Sequence, residues 1–60
     1  MRASYPRAIA WLVWNDDCSW LDDNEATLSI TACLVCDLFG KSARQLVADM
    51  RKFRAAEGDS

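Results

Sequence analysis

The sequence predicts an all-α fold: a compact three-helix domain whose second and third helices meet in a helix-turn-helix-like corner. Three observations predict it. Apolar residues recur at spacings of three and four near both ends, Ile9, Leu12 and Val13 in one segment and Leu46, Val47, Met50 and Phe53 in the other. Between them runs a short, almost wholly apolar stretch, Ile30 to Phe39, broken only by Thr31 and Asp37. The tetrapeptide Phe39-Gly40-Lys41-Ser42 then places a glycine where a helix ends and a serine where the next begins.

Sixty residues make one domain, here 1–60. A chain this short buries only about 60% of the surface its unfolded form exposes, so its core is small. Yet 52% of its residues are hydrophobic, three of them tryptophan. Such a chain completes its core by pairing with a copy of itself or by docking on a partner, and a homo-oligomer is expected.

The first helix is expected near 6–15. Pro6 suits its first turn, where a missing N–H costs nothing, and Ser4 or Tyr5 supplies the cap. Ile9, Leu12 and Val13 share the inward face, and Trp11, Trp14 and later Trp20 are read as core anchors. The acidic loop follows. Its sequence DDCSWLDDNE has no period, and Trp20 and Leu21 are expected to tuck back as a short turn. Calcium is not implied, because the carboxylates miss the alternating positions and the glycine of a calcium loop.

The second helix is expected near 30–39, capped by Ser29 or Thr31. A helix apolar nearly all round belongs in a core, or against a second copy or another protein. Cys33 and Cys36 form a CxxC inside it, with Cys18 elsewhere. A redox pair opens a helix rather than sitting in mid-helix, and a zinc site wants four ligands. The three cysteines therefore read as reduced, core-packed small hydrophobes. No cofactor or metal is expected.

The third helix is expected near 43–56, capped by Ser42, with Arg44, Gln45, Ala48, Arg51 and Lys52 on its outer side. Charge is uneven along the chain. Residues 1–40 carry two cations against six acids, net −4, and residues 41–60 carry five against three, net +2. The basic residues gather on the last helix, where they complement its C-terminal dipole or meet a polyanion.

No enzyme is predicted. There is no histidine, so a histidine-based triad is excluded, and Gly40-Lys41-Ser42 lacks the glycine-rich loop of a phosphate site. The longest N-terminal apolar run, Ala8 to Trp14, is too short to span a membrane, and Asn15, Asp16 and Asp17 follow it rather than a small-residue cleavage site. A cytoplasmic protein with no membrane partner is expected.

The stretch VCDLFGKSARQLVADMRKFR, Val35 to Arg54, resembles the helix-turn-helix of bacterial regulators of the DeoR-like kind. Cys36 takes the small position, Leu38, Phe39 and Gly40 make the turn, Ser42 caps, Leu46 is the buried anchor, and Asp49-Met50 matches the closing pair. The resemblance covers a third of the chain. It implies double-stranded DNA as a partner and a dimer to hold it, with Lys41, Ser42, Arg44, Gln45, Arg51, Lys52 and Arg54 as the DNA-contacting candidates. Three features depart from it. Lys41 stands where the family has a core valine, Val47 and Ala48 stand where a reading helix shows arginines, and no strand pair follows. The chain as a whole, AIAWLVWNDD through RKFR, also looks like very short proteins of bacterial, phage and prophage genomes.

Two functions are therefore expected in competition. One is a small, dimeric, DNA-binding or regulatory accessory protein. The other is a phage-type interaction module or inhibitor of a host or defence protein, which uses the acidic loop and the apolar second helix. For the second, Asp16, Asp17, Asp22, Asp23, Val47 and Ala48 are the partner-binding candidates.

Overall fold

Ser4 caps α1, Tyr5–Asn15, its hydroxyl accepting the Arg7 N–H at 3.4 Å. The computed structural model describes residues 4–16, 18–22 and 27–58. Pro6 sits in the first turn of α1, as its ring geometry favours. A 3-10 turn, Ser19–Asp22, follows. Ser29 caps α2, Ile30–Phe39, by accepting the Ala32 N–H at 3.1 Å. The last helix, α3, runs Ala43–Gly58, two residues beyond its expected end. All three expected helices are present, and the described residues contain no strand.

The core is one small cluster. Ile9 and Leu12 of α1, Leu21 of the 3-10 turn, Ala32 of α2, and Leu46 and Met50 of α3 are its buried members. Leu21 is fully buried, so the turn between α1 and α2 serves as a plug, as its sequence suggested. α1 lies against both other helices, and α3 also carries the 3-10 turn. Burying each large aliphatic side chain contributes about 1.5–3 kcal/mol. Half-buried Tyr5, Val13, Trp20, Val35, Val47 and Phe53 surround the cluster.

The corner between α2 and α3 is built as its residues dictate. Gly40 has φ 64° and ψ 35°, a left-handed conformation that side-chain-bearing residues adopt at a cost. That geometry turns the Lys41 N–H back onto the Cys36 carbonyl at 2.9 Å and satisfies an orphan helix-end acceptor. Ser42 then caps α3, its hydroxyl accepting the Gln45 N–H at 3.1 Å. Lys41 occupies the position where an apolar residue often closes such a motif. Its ammonium instead lies 4.8 Å from the centroid of the Tyr5 ring.

Two expectations about burial are corrected. Trp11 and Trp14 are not core anchors: they are 52% and 63% exposed. The inward stripe of α1 is Tyr5, Ile9 and Leu12, and at about 100° per residue Trp11 falls on the far side. Trp14 keeps an edge-to-face contact with Phe53, ring centroids 5.6 Å apart. Only Trp20 is half-buried, and its indole N–H has no acceptor among the described residues. Nor is α2 buried on most sides. Ala32 alone is fully buried, while Ile30, Leu34 and Leu38 are 81%, 62% and 75% exposed. With two other helices and a turn, the chain has too little material to surround it. Among the described residues, no helix is long and apolar enough to cross a membrane.

Candidate functional site

The basic residues of the corner and α3 are largely engaged within the molecule. Arg54 donates to Asp22 of the 3-10 turn at 2.5 Å, and Arg51 donates through Nε to the Leu21 carbonyl at 2.9 Å. Both arginines thus clamp the turn that carries Leu21 into the core. Arg54 holds the Asp22 carboxyl below its usual range, chiefly by that hydrogen bond. Gln45 donates to both Asp49 oxygens at 3.0 Å, one turn along the same helix. Ser42 is the cap, and Lys41 lies over Tyr5. Arg44 and Lys52 are exposed on α3. Of the seven DNA-contacting candidates, five therefore have structural contacts within the fold.

Tyr5 is the hub that the sequence did not reveal. Its hydroxyl donates to Asp49 Oδ2 at 2.5 Å, from α1 to α3. Its ring meets Phe39 of α2 edge-to-face, centroids 5.6 Å apart. One side chain thus ties all three helices. Burial, with the Asp49 hydrogen bond and charge, pushes the Tyr5 phenol well above its usual range. The same bond, helped by Gln45, lowers the Asp49 carboxyl. Asp49, a member of the helix-turn-helix resemblance, is here the acceptor that fastens α1.

The acidic candidates divide similarly. Asp16 accepts the Ser29 hydroxyl at 2.5 Å and so joins the end of α1 to the start of α2. Asp22 is bound to Arg54. Asp17 and Asp23 lie outside the described residues. Val47 is half-buried against the core, and Ala48 is exposed.

The cysteines are not all core residues. Cys18 and Cys36 pack against the core, with Sγ donating to the Leu12 carbonyl at 3.3 Å and the Ser42 carbonyl at 3.8 Å. Burial pushes the Cys36 thiol up, away from a reactive thiolate. Cys33, expected in the core, is exposed. Two residues, about 200° of helical rotation, set it on the opposite flank of α2 from Val35, which packs inward.

What remains is apolar surface. Ile30, Leu34 and Leu38 stand at successive spacings of four, so they form one ridge along the solvent side of α2. Beside the ridge, Val35 shares a trough of about 300 Å³ with Arg7, Ala8 and Trp11 of α1. The ridge and the trough make one continuous apolar strip from α2 onto α1. Asp37 is the one charged residue of α2. A second shallow trough, about 350 Å³, lies between α1 and α3, with Asp49 and Lys52 among its walls. No protein-family model, curated protein or solved structure matches the chain.

Proposed function

We propose that the chain is a small helical protein-interaction module whose contact surface is the outer ridge of α2 with the adjoining Trp11 trough. The observation that carries this reading is the exposure of Ile30, Leu34 and Leu38 along a single ridge. A surface of this size and continuity on so small a domain marks an interaction site. Nothing in local packing requires large aliphatics there, because Ala32, Val35 and Phe39 already supply the inward face of α2. Trp11 adds a rigid aromatic of the kind enriched at interface centres.

The DNA reading draws less support. Phosphate binding needs cationic side chains free to reach the phosphates and displace the DNA's counterions, and Arg51 and Arg54 are held on the 3-10 turn. A net charge of −2 gives no long-range attraction to a polyanion.

The test uses the untagged 60-residue chain, followed by an antibody raised against it, and two variants, Leu34→Glu on the α2 ridge and Ala55→Glu on exposed α3. Native size is measured in extracts of cells that make them. The wild type and Ala55→Glu are expected in a complex larger than 6.8 kDa, and Leu34→Glu at monomer size. A wild type that runs as a lone 6.8 kDa chain, or a complex indifferent to Leu34→Glu, contradicts the reading.

A further inference from the structure

The α2 strip calls for a definite occupant, and its two long edges say which. Viewed down α2 at about 100° per residue, Leu34 marks the centre of the ridge. Val35 and the trough wall that includes Arg7 lie on one side of it. Asp37 lies on the other, and both charged residues are exposed. The strip therefore carries a base along one edge, an acid along the other, and aliphatic side chains between. A surface patterned in this way is complementary to itself.

Two-fold symmetry can superpose such strips in two ways. An axis running across α2 makes the helices antiparallel and lays like edge on like edge, so the two Asp37 residues share one edge. An axis running along α2 makes the helices near-parallel and exchanges the edges. Leu34 then meets its own copy, as do Ile30 and Leu38, and each Asp37 faces the Arg7 edge of the other protomer. The second arrangement joins opposite charges twice and avoids the like-charge pair, which favours it on specificity grounds.

The area is sufficient. The exposed fractions of Ile30, Leu34, Leu38 and Trp11 amount to an apolar surface on the order of 500 Å² per protomer, so a symmetric pair buries about 1,000 Å², the lower bound for a specific interface. A small interface of that kind makes a dimer that dissociates on dilution.

We infer that the occupant of the strip is a second copy of this chain, paired along α2 in a near-parallel two-fold dimer with Asp37 of each protomer against the Arg7 edge of the other. This rests on the interaction reading above and names its partner. Sedimentation equilibrium of the purified 60-residue chain, from about 5 to about 500 µM, tests it. The expected result is a mass rising with concentration from 6.8 kDa toward twice that value. Leu34→Glu weakens the dimer at least about tenfold, as loss of a central anchor does. Leu38→Lys, at the other end of the ridge, does the same and guards against a folding defect, with circular dichroism confirming helix in both. Asp37→Arg and Arg7→Glu each weaken the dimer, and the double variant recovers most of the loss.

A chain that stays at 6.8 kDa throughout, or a dimer that ignores both ridge variants, overturns the proposal. A double variant no better than the single ones overturns the near-parallel pairing. A purified monomer, alongside a complex in extracts that still depends on Leu34, removes the second copy and leaves the interaction reading standing. Loss of that complex as well removes both.

Discussion

Leu46 is the residue on which the corner depends. It is fully buried, one of only six buried core residues among those described. Leu46→Ala is expected to cost about 2–5 kcal/mol, read by urea denaturation, because so thin a core cannot collapse around the cavity. Gly40→Ala is a different test at the same corner. A methyl group there would meet nothing within 4 Å, so its cost is backbone strain alone, about 1–2 kcal/mol. The Tyr5–Asp49 bond gives the fold a pH signature. Asp49 titrates lower in the folded state, so its contribution is full above the unfolded value near ~3.9 and fades as pH falls through the folded one. Tyr5 titrates higher, so its contribution is full below about 10 and is lost as pH rises through its folded value. The stability gap between wild type and Tyr5→Phe should therefore be flat from about pH 5 to about pH 9 and shrink on both sides. A gap that stayed constant to pH 3 would mean that the bond contributes nothing.

The helices were legible in the sequence because local chemistry set their ends. Ser4, Ser29 and Ser42 cap, Pro6 fits a first turn, and Gly40 takes the left-handed corner. Periodicity also found the inward faces of α1 and α3 through Ile9, Leu12, Leu46 and Met50. It failed on α2 for a physical reason. Only Thr31 and Asp37 break the apolar run, too narrow a polar face to outweigh the pull of Ile30, Leu34 and Leu38 toward a core, and the tertiary arrangement places Ala32 inward and Leu34 outward. The tryptophans misled similarly, since bulk argues for burial but position on α1 decides it. The pairing of Tyr5 with Asp49 joins residues 44 apart, and that of Arg54 with Asp22 joins residues 32 apart, which no spacing rule reaches. Those contacts changed the weight of the basic α3 residues. In a mobility-shift assay at low salt, where phosphate contacts are strongest, no retardation of duplex DNA is expected. Retardation that weakens on Arg44→Ala would restore the DNA reading.

As a whole, the molecule is a slab, 29 × 27 × 18 Å along its principal axes. In a slab every helix keeps an outer face, and the nature of that face decides what the molecule does. On α3 it is charged and polar, with Arg44, Gln45 and Lys52 exposed. On α2 it is Ile30, Leu34 and Leu38. A domain with so few buried residues gains stability from any partner that binds only its folded form. Its melting temperature should therefore rise with protein concentration in the wild type and not in Leu34→Glu, a comparison that scanning calorimetry makes directly.

The central claim is that the α2 ridge is covered when the protein is at work. A photo-cross-linking side chain placed at position 34 of the chain, activated in cells that make it, measures this directly. The account predicts one discrete adduct from position 34, at the mass of two chains if the partner is a second copy, and none from position 55 on α3. A diffuse smear from position 34, or the same yield from both positions, would contradict it.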